Sequence, residues 1–391
     1  MRVYLDNSAT TRLLPEAAEE MTKVALETYG NPSSLHLMGI EAENILKEAA
    51  EAVSSTLGVS PKELVWTSGG TESDNQALRS AAEALKRQGR HIVTSAIEHP
   101  AILKTCAYLE TQGYEVSYIP VDRKGQLRLD LLEENLREET IIVSVMHVNN
   151  EIGAIEPLKE ISGLIRKKAP KALFHTDAVQ SYGKLKISPK ELGVDLLSVS
   201  GHKFHGPKGT GFLYAAERAK LRPILFGGGQ QKNLRSGTEN VPGIAGLALA
   251  AKAAYASLEA DQQLMRELRA HFLKEVRDRL PDTILNGGDE AEVKDAQQAP
   301  GIVSLSFPGF RSEVLLHALE EKGVFASAGS ACASNHADRT SATLRAIGLK
   351  KELSDGTLRF SFSRFTTKEE LTYAAESLQN SAGALKPFVR K

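Results

Sequence analysis

The chain has 391 residues, 41% of them hydrophobic and 25% charged, and a net charge of −1. The length suits about two domains and the composition a soluble globular protein. The balanced charge leaves no electrostatic footprint for nucleic acid or an anionic membrane surface, and no apolar run approaches the roughly 20 residues that a membrane helix needs.

Met1-Arg2 leads straight into the strand-like Val3-Tyr4-Leu5, with no secretory leader in view. From about residue 15 to 250 helix-like and strand-like stretches alternate. Leu64-Val65-Trp66-Thr67 reads as a short buried strand, followed by a helix-like run from Glu72 to Gln88. His91–Ser95, Glu115–Ile119 and Ile141–Val145 are further strands, and the runs near 99–112 and 128–138 between them have helical spacing. Leu173–Thr176 and Val194–Val199 continue the series. Continuous apolar strands separated by helices predict an α/β fold with a mainly parallel sheet covered on both faces. Ligands of such sheets gather at the carboxyl ends of the strands.

Beyond residue 240 the composition changes. Ala245–Leu280 is rich in Ala, Leu, Glu, Lys and Arg and reads as one long helix or a helix pair. A strand at 302–307, a helix at 311–322, a strand at 358–362 and a last helix from about Lys368 complete a smaller α+β unit. The expected partition is a large domain at 15–255 and a small one formed by 1–14 with 256–391. Cys106 and Cys332 are the two cysteines, too few for a disulfide framework and without metal-site spacing. A reducing compartment, the cytoplasm, is the expected location, where a thiol stays free. Cys106 shares a helical stripe with Ile102 and Leu109 and reads as core.

The strand ends carry the chemistry. Ser68-Gly69-Gly70-Thr71-Glu72-Ser73 joins a strand to a helix, so its backbone N–H groups could cradle a phosphate, although a Ser/Thr cap on an ordinary helix explains it as well. His99 follows another strand and could stack on a flat cofactor or carry protons. Asn149-Asn150-Glu151-Ile152-Gly153 closes a third. Asp177, after Leu173–Thr176, suits a protonated heteroaromatic nitrogen, or simply a helix N-cap. Lys203, in Ser200-Gly201-His202-Lys203-Phe204-His205-Gly206-Pro207, is a single amine among glycines and histidines, and partial burial there would free it to form a Schiff base. Phosphate cradle, ring stack, ring-oxygen partner, ring-nitrogen partner and amine together are what a pyridoxal-phosphate site needs.

These motifs resemble the cysteine desulfurases of the NifS/IscS type, within the class V aminotransferase group of fold-type I pyridoxal-phosphate enzymes. The likeness runs nearly end to end through Tyr4–Thr11, Gly30–Ser34, Thr67–Asn75, His147–Gly153, His175–Gln180, the lysine loop, Arg235–Asn240 and Ser327–Cys332. The resemblance implies pyridoxal 5'-phosphate on Lys203, with Asp177 at the ring nitrogen, His99 on the ring, and Asn150 and Gln180 near the ring oxygen. It implies Gly70, Thr71, Ser200 and His202 at the phosphate, and Thr238 reaching the phosphate of a neighbouring subunit, hence a homodimer. Asn31, Asn150 and Arg359 would bind the carboxylate of L-cysteine, and Cys332, on a mobile loop of the small domain, would take its sulfur as a persulfide.

Within that resemblance, the usual Ser-Ser-Gly-Ser-Ala-Cys appears as Ser327-Ala328-Gly329-Ser330-Ala331-Cys332, and the segment after it is about one residue longer than in housekeeping members. The chain ends at Phe388-Val389-Arg390-Lys391 without the extended tail that grips an iron–sulfur scaffold. The sulfur acceptor is therefore either such a scaffold or a tRNA-thiolation enzyme. A selenocysteine lyase or another class V enzyme is the rival within the same chemistry. A sulfur-carrier subunit without catalysis is the rival outside it, and the presence of Lys203, Asp177, His99 and Cys332 together argues against that.

Overall fold

The computed structural model describes residues 1–288, 297–328 and 341–388. After β1 (Val3–Tyr4), helices α1 (Pro15–Glu27) and α2 (Leu37–Leu57) lead into an alternating series. It runs β2 (Leu64–Thr67), α3 (Gly70–Leu85), β3 (His91–Ser95), α4 (Pro100–Thr111), β4 (Glu115–Ile119), α5 (Leu129–Asn135), β5 (Thr140–Ser144), α6 (Leu158–Lys168), β6 (Leu173–Asp177), the one-turn α7 (Pro189–Leu192), β7 (Leu196–Ser200) and β8 (Gly211–Ala215). The sequence-predicted strands fall on these elements, with 141–145 and 194–199 sliding by a residue or two.

The large sheet has seven strands in the order β2-β8-β7-β6-β5-β3-β4. Its pairings are parallel except that β8 runs antiparallel to both β7 and β2. Strand alternation splits its side chains between two cores. Val93, Val143, Phe174, Leu197, Phe212 and Tyr214 pack on one face under α2, α6 and α8 (Val241–Ala256), whereas Ile92, Ile142, Leu173, Leu196 and Leu213 pack on the other under α3 and α4. Cys106 lies in this second core, where burial pushes its thiol up to about 12. Both faces are covered, which is why the strands read as unbroken apolar runs.

The Ala245–Leu280 stretch is a helix pair: α8 turns by 71° into α9 (Leu258–Arg279). Among the described residues no single helix is long and apolar enough to cross a membrane. The remaining elements are β9 (Ile284–Leu285), β10 (Ile302–Ser306), α10 (Ser312–Glu320), β11 (Val324–Phe325), β12 (Ser327–Ala328), α11 (Ala342–Ala346), α12 (Lys351–Ser354), β13 (Thr357–Ser361) and α13 (Lys368–Leu385). They form an antiparallel sheet in the order β12-β13-β10-β9, while β1 pairs in parallel with β11. A separate core joins Val3 and Leu5 to Phe272, Val303, Phe360 and Leu378, so the first residues of the chain pack with its last third. Leu344 and Ile347, by contrast, pack into the core of the large sheet.

The sheet meets the candidate phosphate loop at Gly211. A Cβ there would press on the carbonyl oxygen of Val199 and lie 2.7 Å from Gly69 Cα. Gly163, exposed within α6, has nothing within 4 Å of its missing Cβ. Gly211→Ala is therefore expected to lower the unfolding free energy by about 1–3 kcal/mol in urea titrations, through overpacking against backbone. Gly163→Ala is expected to raise it by about 0.5–1 kcal/mol, the helix-propensity gain.

Candidate active site

Five strand ends converge. β2, β3, β5, β6 and β7 run the same way, so the residues that follow their carboxyl ends crowd one edge of the sheet. Gly69-Gly70-Thr71 follows β2, His99 follows β3, Asn150 follows β5, Asp177 ends β6, and Lys203 lies in the turn after β7.

At the first of these ends, the N-cap of α3 is Gly69 at φ +146°, and no side chain caps the helix. The Ser/Thr-cap alternative therefore fails, and the first-turn N–H groups remain for an anion. The approach is close: a Cβ on Gly70 would lie 2.7 Å from Val179 Cγ2, and one on Gly69 would lie 3.3 Å from Ser200 Oγ. Ser200 is buried at the end of β7, and His202 follows with Nδ1 3.2 Å from Thr10 Oγ1. Burial, with the positive charges of Lys203, Lys208 and Lys184, pushes His202 down to about 4. Such a cation-rich corner suits an anion.

Asp177 caps no helix. Its Oδ1 accepts from Val179 N at 2.8 Å within a turn. Burial pushes its carboxyl up, while the charges of His99 and Lys203 oppose that rise. A desolvated carboxylate with such neighbours suits a cationic ring nitrogen. His99 is the N-cap of α4, with Nδ1 accepting from Ala101 N at 3.1 Å, so the neutral ring carries its proton on Nε2. Thr71 and His99 line one groove between α3 and α4.

Behind Asp177 a polar network is sealed in the sheet. His175 bonds Ser144 Oγ at 2.8 Å and Ser198 Oγ at 2.9 Å, and lies 3.7 Å from Asp74. Burial pushes His175 down to about 3 and, with the charge of Asp177, pushes Asp74 well up. The network holds β5, β6 and β7 in register behind the carboxylate without adding a second buried charge.

Lys203 donates to the backbone oxygens of Ser8 at 2.6 Å and Ala9 at 2.9 Å. Gln180 Nε2 donates to the same Ser8 oxygen at 2.9 Å. This segment continues to the small sheet: Ser8 N donates to Ser361 Oγ at 2.8 Å, and Asp6 Oδ1 accepts from Arg359 Nη2 at 2.7 Å. Arg359 Nη1 donates to Asn150 O at 2.9 Å, and its buried Nε has no partner among the described residues, which leaves a donor for a carboxylate. Asp6 and Ser8 lie in the Tyr4–Thr11 motif that carries the resemblance, but the sequence assigns neither a role.

Not every predicted residue gathers here. Asn31 is exposed between α1 and α2, and its Oδ1 accepts from Ser33 N at 2.9 Å. Thr238 is exposed on the loop before α8. That loop is tied to α3 by Arg235, whose Nε donates to Glu72 Oε1 at 2.8 Å. Cys332 lies outside the described residues. The segment that resumes at Ser341 is held by Glu151, whose Oε2 accepts from Ser341 Oγ at 2.5 Å. Among the described residues no cluster has the makings of a metal site.

The aminotransferase class-V family profile matches residues 3–373. The chain is 43% identical over 377 residues to the cysteine desulfurase IscS of Dictyoglomus turgidum, covering 96% of this chain and 93% of that protein. A solved NifS-like protein superposes with a TM-score of 0.91 at 38% identity, covering 98% of this chain and all of that one. The structure of SspA in complex with cysteine superposes with a TM-score of 0.80 at 31% identity, covering 93% of this chain and 100% of that one.

The histidine in the sealed network has a measurable signature. A folded value near 3 lies well below the ~6.5 of an unfolded histidine, so the stabilising effect is complete above pH ~6.5 and falls away as the pH drops toward 3. Urea titrations at pH 7 and pH 5 are expected to show this loss shrinking by about 2 kcal/mol in His175→Gln.

Proposed function

The chain belongs to the class-V aminotransferase family and is a pyridoxal-phosphate-dependent cysteine desulfurase of the fold-type I architecture, and we propose that sulfur leaves L-cysteine for the thiol of Cys332 and passes from there to an acceptor protein. The observation that carries the reading is the buried Asp177 carboxyl, set against the charges of His99 and Lys203, beside an α3 N-terminus that no side chain caps.

The residues present fit the cofactor. Lys203 would hold it covalently, Asp177 at the ring nitrogen, His99 on the ring face, Asn150 and Gln180 near the ring oxygen, and Gly70, Thr71, Ser200 and His202 at the phosphate. When bound, pyridoxal phosphate supplies an electron sink for the α-carbon of the amino acid it holds. Asp177 keeps the ring nitrogen protonated, which that sink requires. Arg359, oriented by Asp6 and by Asn150 O, binds the substrate carboxylate, with Asn31 assisting. Once the amine of the substrate has displaced it, the amine of Lys203 would take the α-proton as general base.

Cys332 then attacks the substrate sulfur as thiolate. An S–S bond forms, the C–S bond breaks, and protons return to the β- and α-carbons. One cysteine and one thiol thus become one alanine and one persulfide, with no outside oxidant or reductant.

Exposed apolar side chains support a homodimer in which Thr238 serves the partner's phosphate site. Leu35 is 97% exposed in the α1–α2 connection, and Phe226 is 84% exposed on the loop that leads to Thr238. The bend between α8 and α9 supports a partition into a large domain at 15–255 and a small one formed by 1–14 with 256–391, and a cytoplasmic location suits a thiol that must stay free. The acceptor is an iron–sulfur scaffold or a tRNA-thiolation enzyme.

Incubation with L-cysteine is expected to yield alanine and a persulfide mapped by mass spectrometry to Cys332, and Cys332→Ser is expected to lose both. Sulfide release at the full rate by Cys332→Ser would instead favour a selenocysteine-lyase type of reaction. Light scattering is expected to give twice the 42.4 kDa chain mass. The candidate acceptor that discharges the persulfide identifies the partner.

A further inference from the structure

We propose that Lys184 is a positioning residue of this site: its amine fixes the side-chain amide of Gln180 so that the NH2 group faces Ser8 and Lys203, and its charge acts on the nitrogen of Lys203. The proposal rests on the reading that Lys203 carries pyridoxal phosphate.

Lys184 lies four residues beyond Gln180 in the turn after β6. Its Nζ is 3.2 Å from Gln180 Oε1, and the other end of that amide donates to Ser8 O, the oxygen that also accepts from Lys203. The two ends of a glutamine amide are nearly isosteric, so its partners decide its direction. Ser8 O can only accept and an ammonium can only donate, and both constraints choose the same orientation. One N–H of Gln180 is spent on Ser8 and the second is left for an acceptor such as the ring oxygen. Without Lys184 only the acceptor Ser8 O holds the amide in that direction.

The turn itself is rigid. Gln262 Nε2 donates to Lys184 O at 2.9 Å, and the buried ring of Tyr182 packs 5.0 Å from that of Phe204, next to Lys203. Lys184, Gln180, Lys203 and Ser8 line one cavity of about 80 Å³.

Charge around Lys184 is lopsided. Lys203 faces it from the turn after β7 and Arg359 from β13, and the same cavity is lined by His205, by Asp261 of α9 and by Arg364. Burial pushes His205 toward its neutral form, Asp261 is 3.5 Å from Arg364, and Asp6 is paired with Arg359. Among the described residues no carboxylate forms an ion pair with Lys184. Burial first, then the charges of Lys203 and Arg359, push the Lys184 amine down to about 7. Both of its charge states are therefore populated under working conditions, and only the charged one opposes a proton on Lys203.

The test is a pH titration of the visible cofactor band in wild type, Lys184→Met and Lys184→Arg. The permanently charged arginine is expected to lower the midpoint by about one pH unit relative to methionine, with wild type between them. Midpoints that agree within experimental error in all three proteins would overturn the proposal while leaving the cofactor reading intact. A visible band in none of them would overturn both.

Should the arginine not be accommodated, urea titrations of apoprotein decide independently. Lysine in the unfolded chain holds its proton to about pH 10.4, so wild type is expected to gain stability from pH 7 to 9 relative to Lys184→Met. Identical pH dependence in the two proteins would overturn the proposal.

Discussion

The backbone oxygens of Ser8 and Ala9, which receive the amine of Lys203, are the contact on which the rest of the site depends. The segment that carries them crosses from one core to the other. On one side it is fixed to β13 through Ser361 and Arg359; on the other, Thr11 N donates to His202 O at 2.9 Å and Thr11 Oγ1 accepts from His205 N at 2.8 Å. The amine that would hold the cofactor and the guanidinium that would hold the substrate carboxylate are thus set by one short strap. Displacing that strap would move both ends of the reaction together, because protein interiors transmit strain rather than absorb it.

Electrostatics gives the strap its purpose. Asp177 is a carboxylate with most of its water removed, and such a group is costly unless a cation meets it. Around it the fold suppresses competing charge: burial and the charge of Asp177 push Asp74 toward its protonated form, and burial keeps His175 neutral. At the other end of the site His202 is held neutral beside several lysines, and α3 begins without a side-chain cap. A ligand with a protonatable ring nitrogen at one end and a phosphate at the other answers both demands. The twenty side chains cannot supply that molecule, so the site is built for a cofactor.

The sequence made much of this readable. β3, β5, β6 and β7 are covered on both faces, so their apolar runs were visible without an alternating pattern, and the residues after them fell on one edge. β8 went unread because Gly211-Phe212-Leu213-Tyr214-Ala215 follows the glycine-rich lysine loop closely and looks like its continuation. The strap was unreadable for another reason: it works through backbone oxygens, which carry no residue identity. Lys184 carries no signal in the sequence, and its burial first, then the three-dimensional proximity of Lys203 and Arg359, sets its charge apart. Thr238 and Asn31 are exposed in a single copy of the chain, where the roles implied for them need a second subunit or a substrate. Cys332, legible as a lone thiol among small residues, lies outside the described residues, so its role rests on sequence and family.

In the proposed function one amine, that of Lys203, carries the cofactor. Reduction of the purified protein with borohydride, followed by peptide mapping, tests it directly. A single pyridoxyl adduct is expected, on the peptide containing Lys203. An adduct on Lys184, Lys208 or another lysine, or none on a folded protein supplied with pyridoxal phosphate, would contradict it.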